Sequence, residues 1–358
     1  MNKYIIIVFA VLAVFLYSSC ESDFQLTSDW KEITIVYGLL DQNEKDNFIR
    51  IQKAFLDENT NAITLAGIAD SLYHKNLKSV DLLELNDGGN RIRKIPLQQV
   101  LAGNFQLEKD LEEGDIFANK PYYLYHTDST LNNNYTYQLR IITSANNTIT
   151  ATTPLIGNFE VITPKRRSAV NLVSKNPFVR WRKAPNSTLF GLRLIFYYSE
   201  MENNQPTINK RLAWNLISSA MVPPDNLITY DFDIIPDNLN TLSNEYTNTF
   251  FKHLAENIEA KAFVNRTIDS VQYEFSFGSE DILKYNQVIA AQQQSIVGGG
   301  QAINPYTNVD NGRGLLASRT TVLLNRITLD SETRDSLSCS PLVRDLNFEP
   351  ATPNFNCF

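Results

Sequence analysis

The side chains able to do chemistry are few and widely spread. Three cysteines and three histidines serve 358 residues. A serine or cysteine nucleophile needs a base within hydrogen-bond reach. His74, His126 and His253 stand in separate stretches, with neither Cys nor His at metal-ligand spacing beside them. Each is expected to be a surface or packing residue, and no metal or cofactor is expected. Acids are commoner. Glu112-Glu113-Gly114-Asp115 could bind calcium or serve hydrolysis, because a glycosidase needs only two well-spaced carboxylates. That run sits between strands beside a glycine, the setting of a solvated turn. Asp231 and Asp233 alternate with Tyr230 and Phe232, as on the wet face of a strand. No Gly-x-Ser-x-Gly elbow, His-Glu-x-x-His helix or calcium loop occurs, so no catalytic residue is assigned. Gly298-Gly299-Gly300 lacks the lysine and Ser/Thr of a phosphate loop and suits a mobile loop instead.

Cysteine chemistry is more informative. Cys339 and Cys357 lie eighteen residues apart near the C-terminus. In an exported compartment they can form a disulfide, worth roughly 3 kcal/mol in the chain-entropy model; two free thiols is the other reading. Cys20 follows Asn2, Lys3, an apolar run from Tyr4 to Tyr17, and Ser18-Ser19. The run is shorter than the roughly 20 residues of a spanning helix and has the order of a secretory signal. Ser18-Ser19-Cys20 resembles the lipobox of bacterial lipoproteins, with Tyr17 where Leu is usual. The resemblance implies that Cys20 is acylated and becomes the first mature residue. Two or more acyl chains hold stably where one holds marginally. Glu21 and Asp23 resemble the acidic export signal of Bacteroidetes surface lipoproteins.

Removing residues 1–19 takes one cation, Lys3, and no acid from 32 Lys+Arg and 39 Asp+Glu, leaving a formal charge of −8. That balance argues against nucleic acid as a partner. The basic triplet Lys165-Arg166-Arg167, between Pro164 and Ser168, is expected in a solvated linker. The mature length exceeds what one core usually holds, which suggests two domains.

The elements that must carry these residues are mostly strands. Ile49 and Ile51 alternate with Arg50 and Gln52; Tyr135, Tyr137, Leu139 and Ile141 alternate with Thr136, Gln138 and Arg140. Period two marks strands with one buried face. Asp87-Gly88-Gly89-Asn90 supplies a tight hairpin. Such strands recur from Glu32 to Pro154 at the spacing of an antiparallel sandwich. Beyond Pro164–Pro177, Val179 and Trp181 point one way and Arg180 and Arg182 the other. With the Pro-Asn-Ser turn and the long strand Leu189–Tyr198, this resembles the start of a fibronectin type III-like domain. Val271, Tyr273, Phe275 and Phe277 give another buried strand face. Two helices interrupt this domain. One carries Leu242, Tyr246, Phe250 and Leu254 with Ser243 as N-cap. The other opens after Ser279, with Glu280 and Asp281 in its first turn and Ile282, Tyr285 and Ile289 as a buried stripe.

The expected fold is therefore mainly β: tandem antiparallel, immunoglobulin/fibronectin III-like sandwiches, the second with two inserted helices. Its divisions are a signal at 1–19, a tether at 20–30, a first sandwich at 31–163 and a linker at 164–177. A second domain at 178–328 and a tail at 329–358 follow. The aromatic runs Pro121–Tyr125 and Phe196–Tyr198 could stack a sugar or peptide, although such rings also serve strand packing.

Pro305-Tyr-Thr-Asn-Val-Asp-Asn-Gly-Arg-Gly-Leu-Leu-Ala-Ser-Arg is the most distinctive internal stretch. With Leu346-Asn-Phe, Val36-Tyr-Gly-Leu-Leu and Phe48–Phe55, it is similar to uncharacterised Bacteroidetes outer-membrane lipoproteins. That resemblance implies β-sandwich domains and, for some members, accessory roles beside TonB-dependent receptors in nutrient uptake. Tyr306, Asn308, Asn311, Gly312 and Gly314 are its motif residues, candidates for ligand contact or for a turn feeding a final strand. The functional expectation is a non-enzymatic, lipid-anchored binding or assembly module facing the cell exterior, with a peptide or glycan ligand. The alternatives are a carboxylate-dependent glycoside or peptide hydrolase and an adhesion or architectural protein.

Overall fold

The computed structural model describes residues 33–54, 66–107, 120–165, 168–173, 178–202, 205–231, 249–297, 304–324 and 326–357. In the first sandwich, β1 (Ile33–Leu40) and β2 (Asn47–Ala54) form a hairpin. Asp41 N donates to Asn47 Oδ1 (2.9 Å), and Asn47 Nδ2 donates to Asp41 O (3.1 Å), closing its turn. The short helix α1 (Ala69–Leu72) leads to β3 (Ser79–Leu85) and β4 (Arg91–Pro96). Between them Gly89 takes φ +74° and its N–H donates to Asn86 O at 2.8 Å, the hairpin expected there. At Pro96-Leu97 the chain crosses to the opposite sheet as β5 (Gln98–Leu101), then continues as β6 (Tyr123–Thr127), β7 (Thr136–Ile142) and β8 (Thr148–Pro154).

Alternation fixes which side chains enter the core. Val36, Ile49 and Ile51 from one sheet meet Leu82, Tyr137, Leu139 and Ile141 from the other. Tyr137 carries its hydroxyl inward, where it accepts from Asn132 N and donates to Glu84 Oε2, both at 2.7 Å. Arg93 also donates to that carboxylate at 2.7 Å. Burial, reinforced by the Glu84 carboxylate, pushes the Tyr137 hydroxyl up to about 12.

In the second sandwich, β9 (Val161–Thr163), β10 (Phe178–Arg182) and β13 (Leu227–Asp231) make a small sheet. It faces β11 (Leu189–Glu202), β12 (Ile208–Met221) and β14 (Val264–Gly278). Trp181 is fully buried between Phe190 and Phe275, at ring-centroid distances of 5.5 and 5.2 Å. Val271, Tyr273, Phe275 and Phe277 all point into this core. Helix α2 (Thr249–Asn257) contributes Phe250, Phe251 and Leu254; Leu242, Ser243 and Tyr246, expected in its first turns, lie outside the described residues. Helix α3 (Glu280–Val297) starts directly after Ser279, as its acidic first turn suggested.

One strand joins the two sandwiches. After β15 (Val309–Asp310), which pairs with β8, β16 runs from Gly312 to Leu323. Its first half lies parallel to β1 over seven register pairs, Thr34↔Gly312 to Leu40↔Ser318. Its second half lies antiparallel to β14 over five pairs. The result is an eight-stranded sheet, β12-β11-β14-β16-β1-β2-β6-β5, shared by both bodies. The chain is thus mainly β, with tandem sandwiches, and among the described residues its strand ladders are antiparallel except for the β1–β16 pair.

Four expectations need correction. Residues 178–328 are not one self-contained domain, because Val309 and Leu316 pack in the first core. Within 164–177, residues 168–173 are packed, since Val170, Leu172 and Val173 belong to the second core; Arg166 and Arg167 lie outside the described residues. Residues 329–358 are not a loose tail. They form a third helix beside the two expected, α4 (Ser331–Cys339), and bury Leu337, Val343, Leu346 and Phe348. Fully buried Arg266 holds this segment by donating to Leu346 O (2.6 Å) while pairing with Glu200 at 2.9 Å. Finally, Ile282, Tyr285 and Ile289 of α3 are half-buried, because the helix lies on the outer surface of β16.

Candidate functional site

The distinctive 305–319 stretch forms the junction between the two sandwiches. Tyr306 donates its hydroxyl to Asp281 Oδ1 at 2.7 Å, tying the motif to the first turn of α3. Burial, the hydrogen bond to Asp281 and the nearby acids raise that hydroxyl above the usual tyrosine value. Asn308 replaces a missing strand. Beside β16, β14 reaches only Arg319, and Leu316 lies beyond that end. Asn308 Nδ2 donates to Leu316 O (2.6 Å) and Leu316 N donates to Asn308 Oδ1 (2.9 Å). Asn311 takes φ +58° in the turn and donates to Thr148 O of β8 at 3.0 Å. Gly312 and Gly314 let β16 approach β1. A Cβ on Gly312 would lie 2.8 Å from Thr34 O; on Gly314, at φ +112°, it would lie 1.9 Å from Val36 O. All five motif residues come together, and each has a structural partner.

Beside this junction, at the end of the first sandwich, lies a cleft of about 750 Å³. Thr143, Ser144, Asn147, Thr148, Asp310 and Arg313 line it, together with Ile33. Its hydroxyls, amides and single opposite charges suit a neutral polar ligand held by hydrogen bonds, such as a sugar or a peptide backbone. Among its described lining residues none is aromatic or a histidine. A second cleft, about 270 Å³, lies at a bulge in β11, and the ion-paired Arg193 and Glu274 are among its lining residues. Among the described residues each cleft is lined by one carboxylate, Asp310 or Glu274.

The other candidates have packing partners. His74 Nε2 is hydrogen-bonded to Thr34 Oγ1 at 3.2 Å. His126 pairs with Asp46 at 2.7 Å, its ring against Phe48 and Phe105. His253 donates to Ala213 O at 3.2 Å and stacks on Trp214. Burial lowers its imidazole, outweighing that hydrogen bond and the Glu256 charge. Among the described residues no group of three His, Cys, Asp or Glu is placed to hold a metal. Tyr125, Phe196 and Tyr198 are buried, Tyr122 lies under Arg50 and Tyr197 under Arg326, so neither aromatic run presents an open platform. Cys339 and Cys357 are joined, with a Cα–Cα distance of 5.2 Å. Cys20, Glu112-Glu113-Gly114-Asp115, Asp233 and the three glycines at 298–300 lie outside the described residues.

Sequence reasoning missed the polar latch between the bodies. Thr320 Oγ1 of β16 donates to Asp41 Oδ1 at 2.9 Å, and Asn43 Nδ2 donates to Thr320 Oγ1 at 2.7 Å. Gln42 Nε2 donates to Ile156 O at 3.1 Å. The sequence separation of 279 between Asp41 and Thr320 leaves no local pattern to find.

No protein-family model matches the chain, and no curated protein matches it. Among solved structures the chain is similar to trypsin-activated alpha-2-macroglobulin from Escherichia coli, at 9% identity over 70% of this chain and 15% of that chain. It is similar too to a tetra-tandem repeat in the extending region of a large adhesion protein, at 9% identity over 83% of this chain and 50% of that one. Both have a TM-score of 0.18. The chain spans half or less of each of those structures, and a likeness at this level assigns no site or activity.

Proposed function

We propose that this chain is a lipid-anchored outer-membrane protein facing the cell exterior, and that it works without catalysis as a binding or assembly module. Its place would be beside a TonB-dependent nutrient transporter. The observation that carries the reading is the short apolar leader ending in Ser18-Ser19-Cys20, followed by Glu21 and Asp23. The polar cleft at Thr143–Thr148 supports a peptide or glycan ligand. Among the described residues each cleft is lined by a single carboxylate, which supports binding rather than the two-acid chemistry of a glycosidase. Among the described residues no helix is long and apolar enough to cross a membrane, and in this reading the acyl chains supply the attachment.

Two measurements test it. Cys20→Ser is expected to move the protein from the membrane pellet to the soluble fraction without changing its fold; unchanged pelleting of a correctly processed product would reject the anchor. Extraction of the wild type in mild detergent is expected to recover a transporter-sized partner. If it recovers no partner, and Asn147→Ala leaves binding of every tested oligosaccharide and peptide unaltered, the module reading fails.

A further inference from the structure

A strand pulled along its own axis loads all its flanking hydrogen bonds at once. A strand peeled from one end loads them one after another, and so yields at lower force. Which of the two happens depends only on where tension enters and leaves. β1 is an interior strand, with seven register pairs to β16 on one side and six to β2 on the other. It is also the first described strand, so tension from the N-terminal side enters at Ile33. Because β16 runs parallel to β1, tension leaving beyond Leu323 pulls β16 toward the opposite end of the sheet. The β1–β16 ladder is then sheared, and its hydrogen bonds share the load.

The surroundings of this pair fit that geometry. Asn308 brackets Leu316 on the side of β16 away from β1. Ser279 continues the seal, its N–H donating to Ser318 O at 3.0 Å. At the far end of β1, the Asp41–Thr320–Asn43 latch crosses from one sandwich to the other. Gly38 and Gly314 bring the neighbouring strands close, where a Cβ would meet Leu316 Cδ1 at 3.0 Å or Val36 O at 1.9 Å. Beyond Ser318, β16 passes directly into its pairing with β14.

From this we infer that the β1–β16 pair is a load-bearing clamp, which carries tension from the N-terminal tether into the second sandwich and leaves the remaining strands of the first unloaded. The physiological source of that tension rests on the proposed lipid anchor; the clamp itself rests on the strand order.

Single-molecule force spectroscopy on the non-acylated chain 20–358 tests it. Handles attached at Cys20 and Thr321→Cys shear the pair, whereas handles at Cys20 and Lys53→Cys peel β1 from the end where Ile33 faces Ala54. At equal loading rate, rupture is expected at several-fold higher force in the first geometry. Asn308→Ala should lower that force and leave the peeling force unchanged. Equal forces in the two geometries, or a first rupture that leaves β1 and β16 paired, would overturn the clamp. Neither result depends on membrane attachment, which the Cys20→Ser fractionation reads separately.

Discussion

Gly314 shows how one residue decides the junction. Its φ of +112° is a region that side chains avoid, and any Cβ would overlap the Val36 carbonyl. Gly314→Ala is therefore expected to destabilise the protein by about 3 kcal/mol or more, read as a lower urea midpoint with an unchanged slope. Asp335 sets a pH dependence in the C-terminal segment. Burial pushes its carboxyl up, but hydrogen bonds from Thr352 Oγ1 (2.6 Å), Thr352 N (2.9 Å) and Ala351, with the Arg334 charge, outweigh it and hold the group below the usual aspartate value. A lowered carboxyl stabilises the fold above its unfolded value, near pH ~4, and that contribution is lost as pH falls through the folded one. Asp335→Asn is expected to flatten the acid limb of a stability curve below about pH 4 and to leave the limb above pH 7 parallel to wild type. Coinciding acid limbs would contradict the assignment.

At the scale of elements, the C-terminal segment is held by three independent devices. Arg266 binds the Leu346 carbonyl, Phe348 packs on Phe196 and Tyr198, and the disulfide ties the last residues to the end of α4. Cys357→Ser is expected to cost about 3 kcal/mol by the chain-entropy estimate, measured by chemical denaturation under oxidising conditions. Because the other two devices remain, residues 340–349 should keep their amide-exchange protection in that variant; loss of protection throughout would show that the disulfide alone holds the segment. The helix α3 was legible from Ser279, Glu280 and Asp281, and the hairpin at Asp87–Asn90 from its glycines. The packing of 168–173 and of α4 was not. Residues 168–173 are apolar enough but too short to show a period, and α4 buries a single leucine; both are buried by packing on the second sandwich, which no local pattern announces.

For the molecule as a whole, the shared strand makes the two sandwiches one body. The first core needs Val309 and Leu316, and the second sheet needs residues 319–323 of the same strand. Unfolding is expected as a single calorimetric transition in which the van't Hoff and calorimetric enthalpies agree. Two resolved transitions would mean that β16 can leave one sandwich without disturbing the other. As a corollary, residues 31–163 expressed alone should lack a cooperative fold and gain one when a peptide spanning 304–323 is added.

The chain by itself determined many of its strands and their buried faces, the hairpin turn and the start of α3, although not the long strand β12. Each of these follows from neighbours within a few residues, where period two, capping and turn chemistry act. Only the tertiary structure decided that β16 pairs with β1, that Asn308 stands in for a strand partner, and that Asp41 meets Thr320. Alternation specifies which face a strand buries but not which strand lies beside it. That choice was made by contacts across most of the chain's length, where one glycine-lined strand fitted the gap between two incomplete sheets.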